Sequence, residues 1–317
     1  MTEINLEQYA INCLINRTEN PNETNTLIDK LEVEISAETF VDIINYFFEI
    51  SNNYTVISHI LKKINRYKSK KSVSHLVDAL VLKEKYKSKI KDTETQTLIR
   101  VNVAKILANI KDNSAVNPLL YCLNNKNENY KLRLSCAEAL GKIGDKYAVI
   151  HLSEVLKDEN ESSVYLKESA AFALGMIGDM KAIDPLVSIL ETKKGIIDKF
   201  TFLKERAIEA LSKINFKSDR VFNALTNSLK DDSVQVRVNA IEALSTLDDD
   251  RVSDILYTCL SDKSEDVVRN AIIALFNISG EEILYNILND YSLPEHTMKI
   301  VREVIKEIED CEDDFEE

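Results

Sequence analysis

The strongest constraint on this chain is that it repeats itself. Residues 133–156 read RLSCAEALGKIGDKYAVIHLSEVL and residues 170–190 read AAFALGMIGDMKAIDPLVSIL, with Ala137, Ala139, Leu140, Gly141, Ile143, Gly144 and Asp145 in the same order as Ala171 to Asp179. Upstream, the stretch opening at Arg100 keeps Ala104, Leu107, Ile110 and Asp112 but replaces both glycines. Downstream, KERAIEALSKI opens at Lys204, RVNAIEALSTLDD at Arg237 and VRNAIIALFNI at Val268. The openings at 100, 133, 167, 204, 237 and 268 lie 31 to 37 residues apart, a period that marks stacked helical hairpins. A ligand-cradling loop would occur once. The residues before Gly175 are strong helix formers with almost no β-branching, so the glycines close a helix instead of opening one on a phosphate.

Each repeat carries two apolar stripes. Counted from the opening residue, the first helix has Ala at 3 or 4 and at 6, Leu at 7 and Ile or Leu at 10, one face of a 3.6-residue helix whose small residues admit a close neighbour. The second helix is apolar at its first, fifth and ninth places, as in Ala148, Leu152 and Leu156 or Val221, Leu225 and Leu229. Six Gly, four Pro and no Trp leave little loop. The predicted fold is all-α: a right-handed α-solenoid, a superhelix of stacked antiparallel helix pairs in which each repeat buries its core against the next. The expected organisation is a divergent N-terminal helical cap over 1–98, repeats over 99–291, a capping helix over 292–310 and an acidic tail over 311–317. Within the cap, 5–16, 24–32, 37–50, 54–65 and 73–82 read as helices. Ser292, Pro294 and Glu295 give the closing helix a start signal.

The pattern of an opening Arg or Lys, then A-x-A-L-G-x-I-G-D, then a second helix beginning A-[VI]-x-x-L, resembles the HEAT-like repeats of phycobiliprotein lyase subunits. The resemblance spans about residues 99 to 290 and is most specific in the repeats opening at Arg133 and Lys167. It departs at Lys204, where Phe216 replaces the aspartate, and at Val268, where the arginine is displaced to Arg269 and Gly280 replaces the aspartate. It implies stacked helical repeats and, through the lyase subunits, heteromeric enzymes or chaperones that handle bilin chromophores. HEAT-like repeats serve many unrelated proteins, so the resemblance speaks for fold and not for function.

The recurring bases Arg100, Arg133, Lys167, Lys204 and Arg237 alternate with Asp112, Asp145, Asp179 and Asp249, which predicts a structural ladder that fixes repeat stacking, with each aspartate near a neighbouring repeat's base, and that satisfies turn amides. The five cysteines are odd in number and scattered, as in a reducing cytoplasm, and Cys122 and Cys259 occupy core positions. No apolar run approaches the length of a membrane span, and no targeting segment is evident at the N-terminus. A cytoplasmic protein without membrane contact is expected.

His59, His75, His151 and His296 stand far apart, without H-E-x-x-H, paired zinc-spaced cysteines, a P-loop or G-x-S-x-G. No catalytic residue, metal or cofactor is therefore assigned. In such solenoids the second helices line the concave side, and their polar stripe is the default binding surface. Asn117, Tyr121, Glu154, Asp184, Ser188, Asn227, Asp254 and Thr258 form that stripe, with Tyr121 as its one aromatic anchor.

A second candidate is basic. The net charge of -13 hides residues 62–91, where 11 Lys and Arg face Asp78 and Glu84 for a local +9, leaving 29 bases and 51 acids, or -22, elsewhere. Lys68, Lys70, Lys71, Lys85, Lys87 and Lys89 form a candidate docking patch for an acidic partner. The acidic remainder and the scarcity of arginine in the patch argue against nucleic acid. The leading reading is a non-catalytic scaffold or adaptor for a protein client on the concave face. The alternatives are a lyase or chaperone-like subunit assisting cofactor attachment to a client, and a nucleic-acid binder using residues 62–91.

Overall fold

Helices begin in this chain where a short polar side chain precedes an apolar run. Ser36 accepts a hydrogen bond from the Thr39 amide, Asn53 from Thr55 and Val56, Asp92 from Thr95, Ser163 from Leu166 and Ser233 from Val236. Each takes up an amide that the first turn leaves without an intrahelical partner. The first helices of two repeats end on a left-handed glycine, Gly144 at φ 81° and Gly178 at φ 70°. In the preceding repeat, which lacks both glycines, Lys111 adopts the same conformation at φ 57°.

The computed structural model describes residues 20–88, 90–192 and 197–313. The helix candidate at 5–16, Cys13, Lys89, the Cys311 side chain and residues 314–317 lie outside the described residues. Among these, 18 α-helices and no strand occur, packed as the antiparallel helix pairs of an α-solenoid. The chain divides into two compact units, Met1–Leu152 and Ser153–Glu317.

The first unit contains α1 (Pro21–Glu34), α2 (Ala37–Ile50), α3 (Tyr54–Tyr67), α4 (Val73–Leu80), a short α5 (Glu84–Lys87), α6 (Thr93–Ile110), α7 (Val116–Asn124), α8 (Tyr130–Ile143) and the start of α9 (Ala148–Lys157). First helices pack on first helices, α3 on α6 and α6 on α8, while the second helix α4 packs on α7. The large side chains Phe40, Phe47 and Phe48 are fully buried in α2, where Phe40 meets the Tyr67 ring and Phe48 the Tyr86 ring with centroids 5.4 and 5.5 Å apart.

The second unit continues with α10 (Val164–Ile177), α11 (Ile183–Leu190), α12 (Ile197–Ile214), α13 (Asp219–Ser228), α14 (Val234–Ser245), α15 (Val252–Thr258), α16 (Glu265–Ser279), α17 (Glu282–Leu288) and α18 (Glu295–Asp313). The first-helix series α10, α12, α14, α16 and α18 packs in order, with Ala170, Ala173, Ala207, Ala210, Ala240, Ala243 and Ala271 buried between its members. Gly175 lies inside α10, not in the corner that follows it. A Cβ there would stand 2.7 Å from the Ala210 Cα of α12. The closing helix runs three residues beyond 310, to Asp313.

The N-terminal helices are bonded into the first repeats. Arg100 of α6 donates from Nε to the Leu80 carbonyl at the end of α4, at 2.6 Å. Its Nη1 and Nη2 grip both Glu128 oxygens in the loop after α7, at 2.7 and 2.6 Å. Arg133 donates to the Leu123 carbonyl at 2.8 Å. In the second unit Arg237 donates to the Asp231 and Asp232 carbonyls at 2.9 and 3.2 Å and to Asp262 at 2.9 Å. Lys204 reaches Asp231 at 2.6 Å.

Arg100, Arg133, Lys204 and Arg237 thus tie neighbouring repeats together, taking a carbonyl at or just after the end of the preceding second helix, a carboxylate of the following loop, or both. The partners of Arg100, Lys204 and Arg237 are therefore the loop acids Glu128, Asp231 and Asp262 and not the recurring aspartates. Asp112, Asp145 and Asp179 instead accept from the amides of Ser114, Tyr147 and Lys181 two residues on, the turn role open to a short carboxylate. Lys70 also lies 3.7 Å from Asp112. At the far end Val268 stands where an arginine would clamp. The Leu260 carbonyl is satisfied there by the buried Thr297 hydroxyl of α18, at 2.6 Å, and His296 bonds the Asp262 carbonyl at 3.1 Å.

Candidate partner-binding surface

The second helices turn their apolar places inward, which leaves the intervening places free. All eight stripe residues are exposed. In the first unit Asn117 and Tyr121 lie on α7, and Tyr121 is 63% exposed. Asn124, one turn further on, hydrogen-bonds the His151 ring of α9 at 3.1 Å. The His151 ring meets Tyr147 edge to face with centroids 5.7 Å apart. Tyr147 and Ile150 are 60% and 58% exposed, so Tyr121 is not the only aromatic group on this face.

In the second unit Glu154, Asp184, Ser188, Asn227, Asp254 and Thr258 present a polar face. The Ser188 and Thr258 hydroxyls donate to Pro185 and Ile255 carbonyls of their own helices, at 2.7 and 2.6 Å. Two arginines knit its edge. Arg220 grips both Glu191 oxygens at 2.7 and 2.9 Å and lies 3.6 Å from Asp184. Arg251 bridges Asp219 at 2.9 Å and Asp249 at 2.7 Å, with its guanidinium 4.0 Å from the centre of the Phe222 ring. Hydrogen bonds from the Arg251 side chain and amide hold the Asp249 carboxyl at about 2.

Ser114, Tyr147, Lys181, Arg220 and Arg251 all occupy the place just before the first apolar residue of a second helix. Reading that one column across the repeats would have found the tyrosine and the arginines that stripe counting from inside the helix missed.

The lysine-rich segment is largely committed within the first unit. Lys71 pairs with Glu38 at 2.8 Å and Asp42 at 3.1 Å, Lys85 with Glu49 at 2.7 Å and Asp78 at 3.0 Å, and Lys70 with Asp112. Lys63 adds Asp29 and Glu32, both at 2.6 Å. Lys68 and Lys87 are exposed, Lys68 as the left-handed cap of α3 at φ 50°. The sequence showed the basic run of +9 but not that acids of α1 and α2 fold against it.

These pairs make the first unit acid-sensitive. Burial raises the carboxyls of Asp29, Glu32, Glu49 and Asp78, but hydrogen bonds from Lys63, Lys83, Lys85, His59 and His75 outweigh it and hold all four below their ordinary values of 3.8 for Asp and 4.5 for Glu. A depressed folded value contributes stability that is complete above the unfolded value and is lost as pH falls through the folded one. Thermal melts should therefore drop as pH is lowered from about 5 to about 3. The combined variant Lys63→Gln/Lys85→Gln should show a lower melting temperature at neutral pH and a shallower acid slope. An unchanged slope would show that the pairs contribute nothing.

Cys122, Cys136 and Cys259 are buried, and burial pushes the Cys136 thiol well up and the Cys259 thiol up to about 11. Cys136 and Cys259 are packing groups, not poised nucleophiles, whereas hydrogen bonds with Cys136 and Arg100 hold the buried Cys122 thiol below its ordinary value. Among the described residues, no group of three or more His, Cys, Asp or Glu is placed to hold a metal, and no helix is long and apolar enough to cross a membrane.

Known proteins agree with this architecture. The family model for HEAT repeats matches residues 88–168 and 198–276, and that for the PBS lyase HEAT-like repeat matches 166–192. No curated protein matches the chain in sequence. Among solved structures, Kap121p is 14% identical with a TM-score of 0.53, over 93% of this chain and 36% of its own length, a likeness of fold alone. The complex of CpcE and CpcF of phycocyanin lyase from Nostoc sp. PCC7120 is 18% identical over 73% of this chain and 92% of that one, with a TM-score of 0.46. With the two spans of the first model covering half of its length, the chain belongs to the HEAT-repeat family and carries a repeat of the PBS lyase type.

Proposed function

We propose that this HEAT-repeat protein is a non-catalytic scaffold that grips a protein client on its second-helix face. The observation that carries the reading is the exposed Tyr121 and Ile150 on two second helices of the first unit, with the exposed Tyr147 at the entry to one of them, set among polar groups such as Asn117, Asn124 and His151. Aromatic side chains bring large contact area at little entropic cost, and an apolar patch with a polar rim is the usual make-up of a protein interface. The polar stripe of the second unit, Glu154, Asp184, Ser188, Asn227, Asp254 and Thr258, supplies register and charge selectivity. A role in attaching a cofactor to a client has the PBS lyase repeat at 166–192 in its favour and would use the same client-gripping face.

The test compares proteins retained from native lysate by the wild type and by Tyr121→Ala/Tyr147→Ala, followed by dissociation kinetics against whatever is retained. The double variant should melt with the wild type, since both rings are exposed, and should release the client about 10- to 100-fold faster. An identical retained set with identical off-rates sinks the proposal.

A further inference from the structure

The first unit has a second surface, on its first-helix side. A groove of about 370 Å³ runs across α3, α6 and α8, floored by the buried Leu61 and Ile106. Each helix contributes one lysine to its wall, Lys62, Lys105 and Lys142, and Asn65, Asn102 and Asn109 stand among them. The three lysines are exposed, and none has a carboxylate within ion-pair distance among the described residues. Lys63, Lys70, Lys71, Lys83 and Lys85 nearby are all paired. In a chain of net charge -13, three unneutralised ammonium groups on one groove make a local attractor for anions.

The asparagines add a pattern of their own. Asn109 Nδ2 donates to Asn65 Oδ1 at 2.8 Å, which leaves the Asn65 amide hydrogens as donors and the Asn109 oxygen as an acceptor. One donor beside one acceptor matches the N–H and C=O of a peptide unit and has no counterpart in a phosphate, which only accepts. The spacing agrees. Packed helices stand about 8 to 10 Å apart, and an extended polyproline-type chain advances about 9 Å in three residues while returning to the same face. A carboxylate at every third residue would meet one lysine per helix.

Glu138 also lines the groove, and its carboxylate opposes a ligand charged at every step, as a nucleic acid is, more than one charged at intervals. No aromatic side chain lines the groove, so the stacking platform of single-stranded nucleic-acid sites is missing. We propose that this groove binds an extended acidic protein segment bearing a carboxylate at about every third residue, independently of the second-helix face.

Fluorescence anisotropy of the full chain with a labelled peptide of repeating Glu-Pro-Pro tests this, beside a labelled oligothymidylate of similar length. The wild type should bind the peptide with an affinity that falls as salt rises. Lys62→Gln/Lys105→Gln/Lys142→Gln should weaken it roughly tenfold and flatten that dependence, with a melting temperature close to wild type because the lysines are exposed and unpaired. Glu138→Gln should tighten it. Absence of peptide binding, equal affinity in the triple variant, or tighter lysine-dependent binding of the oligothymidylate would each overturn the proposal.

Discussion

Arg237→Ala lowers the stability of the Ser153–Glu317 unit by about 3 to 5 kcal/mol, the scale on which removing one partner of a buried ion pair destabilises. The Arg237 side chain is 4% exposed. One Nη serves two carbonyls of the loop after α13 and the other serves Asp262 in the loop after α15. Truncation leaves two carbonyls without this donor and Asp262, a largely buried carboxylate, without its counter-charge and with only the Ser264 amide on that oxygen. Arg237→Lys should recover only part of the loss, because a single ammonium cannot reach three acceptors that a planar fork spans. Urea unfolding followed by circular dichroism would read the change as a shifted midpoint. A loss under about 1 kcal/mol would mean that water replaces the guanidinium at little cost.

Gly175→Val is the second large effect, and its sign is opposite to what helix propensity alone suggests. Replacing a mid-helix glycine by alanine ordinarily gains up to about 1 kcal/mol. Here the first added carbon meets the Ala210 Cα at 2.7 Å and its Cβ at 2.9 Å, backbone and near-backbone atoms that cannot swing aside. Helices α10 and α12 must separate, so Gly175→Ala should already destabilise and Gly175→Val should cost about 1 to 3 kcal/mol or more. Gly178→Ala provides the contrast. Nothing lies within 4 Å of a Cβ there, and its penalty comes only from φ +70°, about 1 kcal/mol. Thermal melts of the three variants should rank Gly175→Val lowest, and a Gly175→Ala protein more stable than wild type would refute the packing argument.

The helices were readable from local chemistry wherever the code is local. The 37–50 segment is α2 to the residue, and 54–65 and 73–82 are α3 and α4 within two residues at their ends, because caps and apolar spacing act within a single turn. The arginines were visible as a recurring column, but their partners were not. Glu128, Asp231 and Asp262 sit in loops whose path depends on how repeats stack, while Asp112, Asp145 and Asp179, the more regular acids, accept amides of their own turns. Likewise Lys71 and Lys85 read as an open basic patch, since nothing in a linear count of charge shows that α2 will lay Glu38, Asp42 and Glu49 against them. Gly175 reads from sequence as a close-packing glycine of the helix corner, but not as one that meets a particular helix. Its function as a contact point between α10 and α12 is a property of two helices about 35 residues apart.

The hydroxyl of Thr297 has a consequence for how the chain can be shortened. It satisfies a carbonyl at Leu260 that precedes both α16 and α17 in sequence, while Arg269 of α16 reaches out to Glu303 and Glu307 of α18 at 2.8 and 2.9 Å. The last helix is therefore stitched to the array at two depths, one of them a full hairpin inward from where it packs. Removing α18 does not merely bare the hairpin beneath it but leaves a buried carbonyl orphaned on that hairpin's inner side. Amide exchange in α16, α17 and α18 would accordingly follow a single opening, as one block, instead of fraying turn by turn from the C-terminal end.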